Sequence, residues 1–165
     1  MPLTRRSFLG LAALPLLAAC STAYAPVTHT APVQLTRDAI LMAINEARAD
    51  NGKPPLVYNE ALEQAARRQA NLMAQKGKLS HDLGETLRER VTAAGYLGAV
   101  GENVAAGQKT LEQAIEGWLN SPGHRSTLLS TRFVEFGLAV ATHPGTRYGT
   151  YWAFIAGGPF EAWMQ

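Results

Sequence analysis

The spacing of apolar residues changes once along this chain, and that change limits the folds open to it. In the first part apolar side chains recur at helical spacing, as at Leu62, Ala66, Ala70 and Met73, whereas beyond Val134 they alternate. Helical spacing predicts amphipathic helices and alternation predicts half-buried strands. Helices followed by a hairpin favour an α+β domain, with helices packed on a small antiparallel sheet.

Capping residues and breakers give the bounds of these elements. The region 95–107 holds four glycines and predicts a loop, with at most a short strand around Val104. Beyond it, the alternating segments are joined by a turn at His143-Pro144-Gly145. The four expected helices run from Thr36 to Asn51-Gly52, from Asn59 to Gly77, from Glu85 to Ala94, and from Thr110 to the break at Ser121-Pro122.

The first 19 residues have the layout of a signal peptide. Arg5 and Arg6 precede an apolar run, Phe8 to Ala19, that is too short to remain in a membrane as a spanning helix. The stretch Thr4-Arg5-Arg6-Ser7-Phe8-Leu9 resembles the twin-arginine export signal. Leu17-Ala18-Ala19-Cys20 resembles the lipobox of bacterial lipoproteins, in which the cysteine is acylated after cleavage. The alternative is a cysteine that happens to end an apolar signal sequence.

We therefore expect three parts: a signal peptide over residues 1–19, a lipidated flexible tether over 20–34 and a folded domain over 35–165. The tether is rich in Ala, Thr and Pro and has no apolar periodicity. The expected location is extracytoplasmic, with the domain held to the membrane through Cys20. Because Ser21 follows the cysteine, as in lipoproteins sent to an outer membrane, we expect the outer rather than the inner membrane.

Removing the signal peptide changes how the composition is interpreted. Of 165 residues 146 remain, which suffices for one domain with a sizeable core. Without Arg5 and Arg6, 13 basic residues balance 13 acidic ones, so nothing favours a nucleic-acid partner. Cys20 is the only cysteine, so the domain must be stable without a disulfide. We expect a monomer.

Two of the four histidines stand where side chains can meet in a cleft. His81 and His124 each follow a predicted helix, and Glu102 lies between them in the glycine-rich stretch. Two imidazoles and a carboxylate suit an open zinc-type site or a proton-handling cluster. No local metal motif joins them, so the spacing alone also allows hydrogen-bonded loop histidines and a glutamate that caps a turn.

An ordered set of short segments resembles the CAP superfamily, also called the SCP or PR-1 family, in its bacterial branch. Together the segments cover roughly residues 35–160. They are Ile44-Asn45-Glu46-Ala47-Arg48, Asn51-Gly52, Pro55-Leu56, Leu79-Ser80-His81, Ala94-Gly95-Tyr96, Gly101-Glu102-Asn103-Val104-Ala105, Trp118-Leu119-Asn120-Ser121-Pro122-Gly123-His124-Arg125, Phe133-Val134-Glu135-Phe136-Gly137, Tyr151-Trp152 and Gly157-Gly158-Pro159.

The resemblance implies a three-layer α-β-α sandwich with a cleft lined by two histidines and acidic residues. His81 matches the first family histidine, Glu102 the glutamate of the Gly-Glu-Asn motif, and His124 the second histidine. In several relatives the paired histidines bind a divalent, zinc-like metal, so His81, His124 and Glu102 are the expected ligand set here.

One departure from the family bears on activity. Many eukaryotic members have a second cleft glutamate three residues after the tryptophan, where this chain has Ser121. Losing that carboxylate weakens the case for a general acid/base pair and favours a module that binds a lipid, a peptide or a cell-wall fragment. A metal-dependent hydrolase, with water activated at the same residues, is the alternative.

Overall fold

The computed structural model describes residues 35–164. The expected signal peptide, the acylated Cys20 and the tether lie outside these residues, so export and anchoring stay predictions. Among the helices that the structure describes, none is both long enough and apolar enough to cross a membrane.

The described chain has two strands after its α-helices, as the change of period predicts, and two further strands among the helices. The α-helices are α1 (Arg37–Ala49), α2 (Glu60–Lys76), α3 (Leu87–Ala93), α4 (Leu111–Leu119) and α5 (Pro122–Leu129). The strands are β1 (Val57–Tyr58), β2 (Ala99–Ala106), β3 (Glu135–His143) and β4 (Gly149–Gly158), and a short 3-10 helix covers Phe160–Trp163.

The strands form one mixed sheet in the order β1-β3-β4-β2. β4 lies between two antiparallel neighbours, with Ala153 opposite Ala139 of β3 and opposite Val104 of β2. β1 pairs in parallel with the start of β3, where Val57 lies opposite Glu135. The expected antiparallel sheet is therefore confirmed for its three long strands, and a short parallel edge is added to it.

Successive residues of β4 enter two different cores. Trp152 and Phe154 join a cluster with residues of α1 and α4, on one face of the sheet. Tyr151 and Ile155 join a second cluster, with residues of α2 and α3, on the other face. Because side chains alternate across a strand, one strand can supply both cores. This arrangement confirms the three-layer α-β-α sandwich.

The helix starts follow the capping residues that the sequence offers. The side chains of Thr36, Asn59 and Thr110 each accept a hydrogen bond from a backbone N–H in the first turn of the helix that follows. Thr86 and Glu89 form a capping box, so α3 begins two residues later than expected.

Two local expectations were wrong. The stretch 95–107 is not mainly a loop, because eight of its residues form β2, paired along its whole length with β4. Gly101 serves packing there, since a Cβ at this position would come within 2.9 Å of the Phe133 ring. Pro122 does not only end α4: it is the first residue of α5, a position where its missing N–H costs nothing.

Candidate functional site

Glu102 is a buried carboxylate held by two different elements. Its side chain, on β2, is 2% exposed. Oε1 accepts a hydrogen bond from Nη2 of Arg90 at 2.7 Å, and Oε2 lies 2.8 Å from Nδ1 of His81. The Arg90 side chain, on α3, is fully buried, so both partners of the ion pair are shielded from water. Both carboxylate oxygens are thus engaged inside the domain.

His81 lies in the turn between α2 and α3, and that turn is fixed from both helices. Gln69 of α2 donates its Nε2 hydrogen bond to the carbonyl oxygen of Ser80 at 2.6 Å. Arg90 donates through Nη1 to the carbonyl oxygens of Glu85 at 2.5 Å and of His81 at 3.4 Å. Arg90 therefore positions both the backbone of His81 and the carboxylate that meets its ring.

The imidazole of His81 reaches solvent while keeping one nitrogen on Glu102. Its side chain is 57% exposed. The hydrogen bond to Glu102 raises the pKa of His81 above its ordinary value, against the opposing effects of partial burial and of the Arg90 charge. Since Nδ1 faces the carboxylate, Nε2 is the nitrogen left for a ligand.

His124 is held in a different way. It lies in the first turn of α5, and not in a break after a helix as the sequence suggested. Its carbonyl oxygen accepts a hydrogen bond from the buried Asn103 Nδ2 at 2.8 Å, which joins α5 to β2 beside Glu102. Partial burial, followed by the nearby His81, lowers the pKa of His124. Its ring is therefore neutral over a wider pH range than that of His81.

The fold brings the three predicted residues into one neighbourhood. The His81 and His124 ring centroids lie 6.4 Å apart, with the ring planes inclined by 36°. Within residues 35–164, no three His, Cys, Asp or Glu side chains are grouped tightly enough to hold a metal ion. Four surface clefts of the described domain are lined by other residues, so a cleft around the histidine pair stays a prediction.

A match to a protein-family model assigns the chain to a family, which the geometry of the site alone does not do. The model described as CAP, the cysteine-rich secretory protein family, matches residues 41–156. The chain belongs to the CAP family. The match covers all three site residues and every strand but the last residues of β4.

Relatives of this CAP domain come from several bacteria. An uncharacterized protein of Bacillus subtilis (strain 168), YkwD, is 30% identical over 116 residues, which are 67% of this chain and 45% of that protein. An extracellular protein of Bacillus anthracis that contains an SCP domain has 26% identity and a TM-score of 0.64, over 73% of this chain and 39% of the other. This chain thus spans less than half of the length of either relative.

An outer surface protein of Borrelia burgdorferi shares the fold along nearly its whole length. Its TM-score is 0.65, and the similarity covers 77% of this chain and 96% of the other. Sequence identity is 22%, so this comparison supports the CAP fold alone.

Three residues that hold the site together, Arg90, Gln69 and Asn103, were not predicted from the sequence. A signal for two of them was present, because Gln69 and Arg90 stand on the apolar faces of their own helices, next to Ala70 and Val91. A charged or amide side chain on such a face is buried with a partner more often than without one.

Proposed function

We propose that this CAP domain is a binding module displayed outside the cytoplasm, which holds a lipid, a peptide or a cell-wall fragment against the exposed ring of His81 and the half-buried ring of His124. The observation that carries this proposal is the state of Glu102. Both of its oxygens are engaged and its side chain is shielded from solvent, so the groups that face a ligand are imidazoles. A relative described as extracellular supports the location.

A metal-dependent hydrolase at the same residues has less support. A general base must reach the water that it deprotonates. The Glu102 side chain is 2% exposed and already engaged with Arg90 and His81, which leaves it poorly placed for that role. Ser121 stands where a second carboxylate would be.

A divalent, zinc-like ion suits the two imidazoles as donors. Two rings on one tetrahedral zinc, with Zn–N bonds of about 2.1 Å, have centroids about 5 Å apart. The observed 6.4 Å requires the rings to approach, and that movement falls to His124 because the His81 ring is held on Glu102. Glu102 would then orient His81 through the hydrogen bond to Nδ1 and would not bind the metal itself. Many zinc-bound histidines are oriented by a carboxylate in this way. When bound, the ion would polarise an oxygen atom of the ligand.

Zinc titration of the full chain, combined with elemental analysis of the purified protein, tests the metal. We expect His124→Ala to weaken zinc binding more than about tenfold, and Glu102→Gln to weaken it about 10- to 100-fold through the orientation of His81. The zinc affinity should also decrease as the pH is lowered, because imidazole must be neutral to bind a metal. His143→Ala is the matched control, since His143 stands on β3 and bonds the Ala74 carbonyl oxygen. An unchanged zinc affinity in the double variant His81→Ala/His124→Ala would mean that the two histidines do not bind the metal.

Ligand retention tests the binding module itself. The full chain, the His81→Ala/His124→Ala variant and the His143→Ala control are incubated with envelope lipids, peptides or wall fragments, and retained compounds are identified by mass spectrometry. We expect the full chain and the His143→Ala control to retain an intact compound that the double variant does not retain. Recovery of cleaved products in place of an intact compound would contradict the binding module and support the hydrolase.

A further inference from the structure

A groove of about 750 Å³ is lined by α5, by the start of β2, by the segment before β3, by Lys53 between α1 and β1, and by Trp163 after β4. Three cationic side chains, Lys53, Arg125 and Arg132, line it together with Phe133 and Trp163. We call it the basic groove. No Asp or Glu lines it, and neither do His81, Glu102 and His124, so binding in this groove would be independent of the proposed function.

The cations of the basic groove differ from most other arginines of the described domain. Four of those other arginines each form an ion pair with a glutamate: Arg37, Arg67, Arg68 and Arg90. Within residues 35–164, the cations of the groove form no ion pair. Arg125 donates only to the neutral oxygens of Asn51 and Leu119. The groove therefore carries positive charge that no carboxylate of this part of the chain neutralises.

A buried arginine adds to this charge from behind. Arg48 of α1 is fully buried and donates through Nη1 to the carbonyl oxygens of Leu128 and Ser130, the second of which lines the groove. Its Nη2 atom is buried and has no hydrogen-bond partner within the described residues. Because the region around a buried charge has a low dielectric constant, its field reaches the groove with little screening.

One end of the groove combines a cation with aromatic rings. The Arg132 guanidinium lies over the Trp163 ring at 4.6 Å, and the Trp163 and Phe133 ring centroids are 5.3 Å apart. Trp163 is 43% exposed, so its ring keeps a free surface. An arginine stacked on an aromatic ring is held in place and loses less side-chain entropy when it binds an anion.

We propose that the basic groove binds a phosphate ester. Lys53, Arg125 and Arg132 would contact the phosphate, and the organic part of the ester would lie against the exposed ring of Trp163, which packs on the buried Phe133. A carboxylate would satisfy one arginine, whereas a phosphate offers enough charge and enough acceptor oxygens for several cations at once. The hydroxyl of Ser126, which also lines the groove, supplies a further donor.

Phenyl phosphate is the first probe, because it joins a phosphate to a ring. The full chain in a nonionic detergent is titrated with it and followed by tryptophan fluorescence. Trp118 and Trp152 are buried, so a change on binding reports mainly on Trp163. We expect saturable binding that weakens as salt is added, since added ions screen exposed charges.

Arginine variants separate the groove from the rest of the surface. We expect Arg132→Ala to weaken binding about tenfold, as the loss of one charge-assisted hydrogen bond does, and Arg132→Lys to restore part of the affinity. Arg147→Ala is the matched control, because Arg147 also stacks on an aromatic ring, that of Tyr148, but stands near the β3–β4 turn. Equal losses in Arg132→Ala and Arg147→Ala would overturn the proposal.

The ester could come from a phospholipid headgroup or from a soluble compound, and a second arm distinguishes them. Detergent micelles are doped with phosphatidylglycerol or, as the control, with phosphatidylcholine. Saturable binding of phenyl phosphate indicates a soluble ester, and a response to phosphatidylglycerol alone indicates a headgroup. If wild-type protein responds to neither probe, the basic groove does not bind phosphate esters. Zinc binding at the histidines is measured on the same samples, so failure here leaves that result intact.

Discussion

The two histidines of the candidate site are supported in opposite ways. His81 stands in a turn whose backbone and ring are both fixed by buried side chains, Arg90 and Glu102. His124 stands at the start of a helix, where Asn103 holds its carbonyl oxygen and no carboxylate of the described residues contacts its ring. The same fold therefore raises the pKa of His81 and lowers that of His124.

This difference shows that the two rings are not equivalent donors. A carboxylate behind His81 fixes which nitrogen faces out and increases the basicity of the ring. His124 stays neutral without such help, because partial burial opposes its protonation. A metal or ligand thus meets one oriented ring and one ring free to adjust.

Removing Arg90 should have the largest effect on this arrangement. Arg90→Ala would leave the Glu102 carboxylate buried without its cation, and we expect the free energy of unfolding to fall by about 3–5 kcal/mol. Urea denaturation measures it. Arg88→Ala, on the same helix but exposed, is the control and should cost less than about 1 kcal/mol. Similar losses for both arginines would contradict a role of Arg90 as the central support.

Replacing Glu102 by glutamine should have an intermediate effect. Glu102→Gln keeps the shape of the side chain but removes its charge, so we expect about 2 kcal/mol of lost stability. The pKa of His81 should fall toward its ordinary value, because the hydrogen bond to Glu102 is the main cause of its rise. NMR titration of both imidazoles measures this. A His81 pKa that does not move would mean that Glu102 does not control the ring.

The pH dependence of stability should show the smallest effect, with opposite signs at the two rings. Because the folded-state pKa of His81 is raised, its stabilisation is complete below the unfolded value of about 6.5 and is lost as pH rises through the raised pKa. His81→Gln should therefore cost more at low pH than at high pH. His124 has a lowered pKa, so the wild type should lose stability relative to His124→Gln as pH falls below about 6.5. Parallel pH profiles for the two variants would contradict the asymmetry.

Local sequence signals sufficed for most helix ends and for the hairpin of β3 and β4. Thr36, Asn59 and Thr110 begin helices in the structure as they do in the sequence pattern, because a side-chain cap acts over three residues and needs no distant partner. His81, Glu102 and His124 were selected from their places between the predicted elements, and the family resemblance supplied their expected roles. Their nearness follows from the fold.

Non-local contacts explain why two other features could not be predicted. β2 contains Gly101, which weakens its strand propensity, and only the pairing with β4, about 50 residues later, makes it a strand. The Arg90–Glu102 ion pair joins residues from different elements, so no spacing in the sequence could have assigned it. Pro122 was ambiguous for another reason, since a proline both ends one helix and suits the first turn of the next.

The strand order has a consequence for when the site can exist during synthesis. In the described sheet, β2 pairs with β4 alone, and β4 ends at Gly158. A growing chain contains His81, Glu102 and His124 well before β4 has left the ribosome, but it cannot yet hold β2 in register. The histidine pair is therefore assembled only when the last strand arrives. A nascent chain halted before that strand would carry every residue of the site and still have no site.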